Sequence, residues 1–399
     1  MRATHIDAHI ALRPTDDGKV EVRGRATLRI ASDGARRLML DAPDYTELKP
    51  TPDPRVEWRY DGRRLIGRWS APPSDPVEIE LAWRTTPTRG VTRRGDAVWT
   101  AFHTWRWMPA HSDPAARATL SLTVDAPAGW TTIATGDGAD RPGPDIVLSA
   151  PHPAYTYGFF AGRIDPPLVD GGLEIWGVPP AAAHAALART RAAVDRWAGR
   201  FGPPFERYVQ VFVPGRAAQE LAGMAFIGRR HAEGLLSAPD EDWLIVHEMA
   251  HQMWGNRATC ASWGDFWLNE AIVVWWVARD KQLRGQPAAH ARELALWRKR
   301  AARAARAGDR RIARPGVEHQ DAGGSLVYHA GALLVADLVA AVGVEAFEAV
   351  MKHAMQAART TQRSLLTTDG LLAALPLTPK QRAAARCRLA DATAVCPGL

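Results

Sequence analysis

Cysteine is scarce in this chain, and long apolar runs are missing from it. Only three cysteines occur among 399 residues, and none has the spacing of a metal ligand. Cys387 and Cys396 could pair in an oxidising compartment, but we expect two free thiols there. No apolar stretch approaches the ~20 residues that span a bilayer, and the first residues show no charged-then-apolar signal pattern. These absences predict a cytoplasmic protein without a membrane partner.

The charge balance is basic, with a net charge of +7. A basic run could contact nucleic acid or an acidic partner. The densest run carries neither interleaved aromatic residues nor a recognised nucleic-acid motif, so we interpret it as a solvated helix face and expect no nucleic-acid partner. Its basic residues are Arg298, Lys299, Arg300, Arg303, Arg306, Arg310 and Arg311.

The length and the apolar pattern indicate two domains. A chain of 399 residues is too long for one ordinary core. Residues 1–167 contain short segments of period two, such as 20–30 and 120–124, separated by turn-rich pieces. This pattern predicts an antiparallel β-sandwich or saddle domain.

Residues 168–399 have a different pattern. A strand is predicted over 173–178, a helix over 181–199 and a buried strand over 208–213, and from 242 onward the periodicity is mostly helical. Strands followed by helices favour an α+β domain, here with a short helical tail.

A metal-binding pattern lies in the helical part of this second domain. His247 and His251 stand four positions apart, with Glu248 between them, in an HExxH sequence. Spacing of four places both imidazoles on one face of a helix, where both can bind one Zn²⁺. Glu248 is then the candidate general base for a water.

A catalytic zinc site needs a third protein ligand and an open position. Glu270 follows His251 by nineteen positions, which leaves room for a turn and the start of a second helix. The alternative is a chance HExxH whose histidines are simply packed in a core. Burying the three ionisable groups of the HExxH sequence in an apolar helix, without a metal or partners, would cost several kcal/mol of folding free energy.

The sequence HEMAHQMWGN at 247–256, followed by Trp-Leu-Asn-Glu at 267–270, resembles the aminopeptidase N family of gluzincin peptidases. The family pattern is HExxH, eighteen residues and a glutamate, and the spacing here matches it. The resemblance implies one zinc ion per chain, held by His247, His251 and Glu270. It also implies peptide-bond hydrolysis and a peptide or protein substrate.

Two further segments resemble the same family. Arg106 to Pro109 resembles a signature of its first domain, and Tyr-His-Ala-Gly-Ala at 328–332 resembles a segment whose tyrosine supports the tetrahedral intermediate. By resemblance, Tyr328 is a hydrogen-bond donor to the transition state. The implied fold is an N-terminal β domain followed by a thermolysin-like catalytic domain.

The chain departs from the family where the free α-amine of a substrate is bound. Ala225 stands in place of the glutamate of the family's G-x-M-E-N motif, and Val98 or Thr100 stands at a second amine anchor. Glu220 lies five positions before Ala225, so on one continuous strand it would face the other way. We therefore expect both anchors to be missing, which leaves exopeptidase activity in question.

The family's large C-terminal helical domain has no counterpart after Tyr328, so we expect a more open cleft. Two other functions stay open, a noncatalytic zinc protein that binds peptides and a hydrolase of a nonpeptide substrate. Asn269 and Asp265 either orient the metal ligands or cap the helix of Glu270. The natural substrate and the oligomeric state do not follow from the sequence.

Overall fold

The chain forms two compact units. The computed structural model describes residues 1–136, 145–215, 218–238, 240–318, 323–360 and 365–396. The first unit comprises residues 1–187 and 205–239, and the second comprises residues 188–204 and 240–399. The boundary predicted at 167/168 falls inside the first unit, because the strands that follow it cluster with the strands that precede it.

Strands dominate the first unit. In chain order they are β1 (Arg2–Pro14), β2 (Val20–Ala31), β3 (Arg37–Asp41), β4 (Tyr45–Pro50), β5 (Val56–Tyr60), β6 (Arg64–Trp69), β7 (Val77–Thr85), β8 (Val91–Arg94), β9 (Ala97–Thr100), β10 (Arg117–Asp125), β11 (Thr131–Ala134), β12 (Asp145–Pro153), β13 (Phe159–Gly162), β14 (Leu168–Asp170), β15 (Leu173–Trp176), β16 (Tyr208–Val213), β17 (Ala218–Leu221) and β18 (Met224–Gly228).

The largest sheet has six strands in the order β12-β10-β1-β2-β7-β4. Along β2, the alternating apolar residues from Val20 to Ile30 are buried, as the period-two pattern predicts. Neighbouring strands run antiparallel except for β1 and β10, which pair in parallel with Ile6 opposite Leu120. The sheet is therefore mixed, with one parallel pair inside an antiparallel frame.

Three smaller sheets complete the first unit. Their orders are β11-β13-β9-β8, β3-β6-β5 and β14-β15-β16-β18-β17. In the last of these, β15, β16 and β18 are parallel, while β17 returns antiparallel to β18 through a hairpin. One face of this hairpin contributes Leu221, Met224 and Phe226 to a buried apolar cluster that also contains Trp99 and Trp176.

Helices dominate the second unit. In chain order the helices are α1 (Pro180–Phe201), α2 (Arg229–Ser237), α3 (Trp243–His251), α4 (Trp267–Leu283), α5 (Pro287–Arg306), α6 (Gly331–Val342), α7 (Val344–Thr360), α8 (Thr368–Ala374) and α9 (Pro379–Ala390). Helix α2 and the first residues of α1 belong to the first unit. The short strands β19 (Thr259–Cys260) and β20 (Leu365–Leu366) pair in parallel.

Helix α4 is the central element of the second unit. It packs against α3, α5 and α6. Fourteen of its seventeen residues are buried, which is typical of a helix surrounded by other elements. A cluster of aromatic rings, in which Trp276 contacts Trp197 and Phe201, packs one side of α4 against the later part of α1.

The surface of α5 is basic and exposed, with Trp297 buried on the opposite side. Its exposed basic residues are Arg292, Arg298, Lys299, Arg300, Arg303 and Arg306. Among the described residues, no single helix is long and apolar enough to cross a bilayer. One bent pair, 326–342 with 344–359, meets that criterion by length and composition alone.

Candidate metal centre

Helix α3 carries the HExxH sequence at its C-terminal end. Eight of its nine residues are buried, among them His247, Glu248 and His251. The two imidazole rings lie one turn apart with their centroids 4.6 Å from each other. The four-residue spacing therefore places both rings on one face of the helix, as the sequence predicts.

Glu270, in the first turn of α4, meets this pair of imidazoles. Its Oε2 lies 3.5 Å from Nε2 of His247 and 3.4 Å from Nε2 of His251, and the two Nε2 atoms are 3.0 Å apart. All three side chains are buried. The packing of α4 on α3 thus brings Glu270 to the two histidines, although nineteen positions separate it from His251.

The dimensions of this triangle suit a tetrahedral metal ion. Ligand atoms at 2.0–2.1 Å from zinc lie roughly 3.3–3.4 Å from one another in a tetrahedron. Separations of 3.4–3.5 Å are long for hydrogen bonds. Oε2 of Glu270 is buried and accepts no hydrogen bond from the described residues. The donor set of two imidazoles and one carboxylate is one that zinc takes in catalytic sites.

The protonation states favour the same conclusion. Burial lowers the pKa of His247, and His251 lowers it further against the opposing effect of Glu270. Burial raises the pKa of Glu270, but the electrostatic effect of the two nearby histidines, His251 first, outweighs it, so the pKa lies below its usual range. A neutral imidazole and an ionised carboxylate are the forms that bind a metal.

His251 is oriented by its other ring nitrogen. Nδ1 lies 3.1 Å from the carbonyl oxygen of Trp254. When Nδ1–H donates to that carbonyl, the lone pair of Nε2 points to the triangle of ligand atoms. The indole of Trp254 in turn donates to the carbonyl oxygen of Leu268 in α4, at 2.8 Å. This bond connects the end of α3 to the segment that carries Glu270.

Asn269 and Asp265 contact neighbouring segments around α4. Oδ1 of Asn269 accepts a hydrogen bond from the backbone of Cys260 in β19, at 2.9 Å. Oδ1 of Asp265 accepts hydrogen bonds from the backbone and the hydroxyl of Thr368, at 2.9 and 2.7 Å. These contacts attach the start of α4 to β19 and to α8.

Tyr328 lies in a π-helical turn, Leu326–Ala330, immediately before α6. This turn packs against α4 and α5. The half-buried ring of Tyr328 packs on an apolar cluster that includes Val274 and Ala278. Those two residues follow Glu270 by one and two helical turns, so the ring of Tyr328 lies along the helix that carries Glu270. π-turns are frequent at functional sites.

The three positions that the resemblance assigns to amine binding lie in the first unit. Val98 is fully buried in β9. Thr100 is also buried, and its hydroxyl accepts a hydrogen bond from the backbone of Phe159 at 3.0 Å. Ala225 is fully buried in β18. None of the three carries a charge.

The expectation that Glu220 faces away from Ala225 is wrong. It assumed one continuous strand, whereas the chain reverses between β17 and β18, and Glu220 pairs directly with Ala225 in antiparallel register. Gly223 makes the reversal with φ of +74°, where a Cβ would lie 1.9 Å from the carbonyl oxygen of Gly136. Directly opposed residues of an antiparallel pair project from the same face of a sheet. The side chain of Glu220 therefore projects from the same face of the sheet as the methyl group of Ala225.

The two C-terminal cysteines form a disulfide, so the expectation of free thiols there is wrong. Cys387 lies in α9, and the chain turns after this helix so that the Cα of Cys396 comes within 5.9 Å of the Cα of Cys387. This separation is typical of a disulfide. Cys260 is buried and forms no disulfide with another described residue.

Comparison with known proteins agrees with the geometry. Residues 237–378 match the peptidase family M1 domain. Aminopeptidase B of Mus musculus is 24% identical over 318 residues, which cover 68% of this chain and 48% of the relative. Aminopeptidase N of Streptomyces lividans is 28% identical over 197 residues, which cover 43% of this chain and 22% of the relative. The chain spans about half the length, or less, of these curated relatives.

Solved structures show the same fold. An M1 zinc metallopeptidase from Deinococcus radiodurans superposes with a TM-score of 0.75 at 21% identity, covering 100% of this chain and 95% of that one. Native yeast LTA4 hydrolase superposes with a TM-score of 0.78 at 17% identity, covering 100% of this chain and 68% of that one. The predicted fold, an N-terminal β domain followed by an α+β catalytic domain, is confirmed.

The fold is that of M1 zinc metallopeptidase structures, and three buried side chains in it are placed so that they could hold a metal ion. The resemblance to the aminopeptidase N family is confirmed, since the segment 237–378, which contains the three side chains that could hold a metal ion, matches the peptidase family M1 domain.

Proposed function

We propose that this protein is a zinc-dependent peptidase, in which His247, His251 and Glu270 hold one zinc ion per chain. The observation that carries the proposal is the convergence of three buried ligand atoms within 4.8 Å of one another. Aminopeptidase relatives and M1 zinc metallopeptidase structures support the same chemistry. The substrate is a peptide or a protein.

The bound zinc would supply a Lewis acid that polarises the scissile carbonyl and makes a water more acidic. Glu248, adjacent to the first ligand on α3, takes the proton of the attacking water and returns it to the leaving amine. Tyr328 donates a hydrogen bond to the oxyanion that develops on the carbonyl. A zinc site with only a structural role would need neither Glu248 nor Tyr328.

Glu220 is the candidate for reading a free substrate amine. The glutamate of the family motif is replaced by Ala225, but Glu220 pairs directly with that position across the hairpin. Glu220 is only 5% exposed, and a buried carboxylate binds an ammonium group more strongly than an exposed one. We therefore favour removal of residues from free N-termini over cleavage of internal bonds.

The domain division and the localisation remain predictions. Residues 1–167 are proposed as the β domain and 168–399 as the catalytic domain. Cytoplasmic localisation is opposed by the disulfide between Cys387 and Cys396, because disulfides persist mainly in oxidising compartments.

A peptide library tests the function. The zinc-loaded protein is incubated with peptides that have free or acetylated N-termini, and the products are identified by mass spectrometry. We expect cleavage, and we expect Glu248→Gln to retain zinc while losing at least about 100-fold in rate. Glu345→Gln, a change of the same chemistry at an exposed position, is the matched control and should cleave normally.

Two outcomes would contradict the proposal. A zinc-loaded protein that cleaves no peptide would remove the peptidase function. Peptide binding that is unchanged by Glu248→Gln, without turnover, would instead favour the noncatalytic binding protein.

A further inference from the structure

Gly331 closes the turn that carries Tyr328. Its backbone N–H donates to the carbonyl oxygens of Leu326 and Tyr328, which completes the π turn and begins α6. Gly331 itself is buried. The position of Tyr328 therefore depends on where the backbone of Gly331 packs.

Gly331 packs against the surface of α4 next to Glu270. A Cβ added to Gly331 would lie 2.7 Å from the Cβ of Ala271 and 3.5 Å from Cγ2 of Ile312. Ala271 directly follows Glu270 and is fully buried. A separation of 2.7 Å is far below the ~3.5–4.0 Å at which two carbon atoms pack. The turn and the helix approach each other more closely than any other residue type at 331 would allow.

Backbone conformation does not require glycine here. Gly331 has φ of −58° and ψ of −48°, which is ordinary helix. Glycine in a helix costs about 1 kcal/mol relative to alanine. What glycine provides at this position is the close approach to Ala271.

We propose that Gly331 is a positioning residue, which sets the distance between the turn of Tyr328 and the helix of Glu270. The inference rests on the proposed function, in which Tyr328 stabilises the oxyanion. A methyl group at 331 would push the turn from α4 by roughly 1 Å to restore normal carbon contact. A displacement of this size in a catalytic group can cost about 100-fold in rate.

Complementary substitutions test this role. Gly331→Ala should lower kcat about 100-fold, while KM and zinc affinity, measured by competition with a chelator, stay near wild-type values. Its affinity for a phosphinic peptide, which mimics the tetrahedral intermediate, should fall in parallel with kcat. Adding Ala271→Gly removes the opposing methyl group, so the double variant should recover most of both losses.

Two controls separate positioning from general damage. Gly199→Ala places the same methyl group on an α1 position with nothing within 4 Å, and should leave kcat unchanged. In a Tyr328→Phe background, Gly331→Ala should cost little more, because both changes remove one interaction. The proposal would be overturned if the losses in kcat from Tyr328→Phe and Gly331→Ala add. It would also be overturned if Ala271→Gly does not restore the activity of Gly331→Ala.

Failure of the proposed function would be seen separately. If the wild-type protein cleaves no peptide, the peptidase function fails, while the affinities for the phosphinic peptide still decide the role of Gly331. If the wild-type protein does not bind the phosphinic peptide, or if Gly331→Ala binds it as well as Gly199→Ala does, the positioning role is wrong even when peptides are cleaved.

Discussion

The assignment of Glu220 as the amine acceptor makes the sharpest prediction for a single side chain. Glu220→Gln keeps the size of the side chain and removes its charge, in a position that is 5% exposed and directly opposite Ala225. A hydrogen bond to a charged group contributes about 1.5–3 kcal/mol. The variant should therefore lose roughly 10- to 150-fold in kcat/KM on peptides with a free N-terminus.

Peptides with an acetylated N-terminus provide the internal reference. They carry no ammonium group, so Glu220→Gln should leave their kcat/KM unchanged. Glu57→Gln, at an exposed strand position of the same unit, is the matched control and should affect neither class of peptide. If Glu220→Gln discriminates between the two classes as strongly as the wild type does, Glu220 does not read the amine.

Moving the carboxylate across the hairpin extends the test. Directly opposed Cβ atoms lie ~4.5–5.5 Å apart in an antiparallel pair, so Glu220→Gln combined with Ala225→Glu moves the charge by one strand. This double variant should recover part of the preference for free N-termini. Ala225→Glu alone sets two carboxylates opposite each other in a buried place and should destabilise the protein.

Other features predict effects on stability. Arg284→Met removes the cation that donates hydrogen bonds of 2.8 and 3.0 Å to the buried Asp242. It should lower the free energy of unfolding, measured by denaturant titration, by about 3–5 kcal/mol. A loss near zero would show that the ion pair does not stabilise the fold. Cys387→Ser should cost about 2–3 kcal/mol, and a reducing agent should lower the Tm of the wild type but not of this variant. Burial lowers the pKa of His111 from 6.5 to about 4, so the unfolded state binds more protons between these values. Its contribution to stability is complete above pH 6.5 and is lost toward pH 4, and His111→Asn should flatten that slope.

Local patterns predicted the elements well. The strand at 208–213 has the bounds that its apolar run between turn residues indicates. The helix predicted over 181–199 is slightly longer, since it begins at Pro180 and ends at Phe201. Both patterns arise from backbone geometry over a few residues, because side chains repeat every 2 positions in a strand and every 3.6 in a helix.

These local patterns do not predict which distant segments of the chain pair with each other. The parallel pairing of β1 with β10 joins Ile6 to Leu120, and no local signal distinguishes it from an antiparallel neighbour. The same holds for Glu220, whose facing direction depends on a chain reversal at Gly223 that one continuous strand would not contain. The disulfide at Cys387 likewise depends on how the chain turns after α9.

The sequence by itself determined which groups can bind the metal. Spacing of four on a helix places His247 and His251 together, since helical hydrogen bonds fix neighbours within one turn. Only the tertiary structure decided that Oε2 of Glu270 lies 3.4–3.5 Å from the Nε2 atoms of these histidines. It also decided that Tyr328 packs along α4, where Gly331 closely approaches the helix. The pairing of Glu220 with Ala225 was decided in the same way. These contacts join segments that are brought together by burying apolar surface, and burial depends on the whole fold.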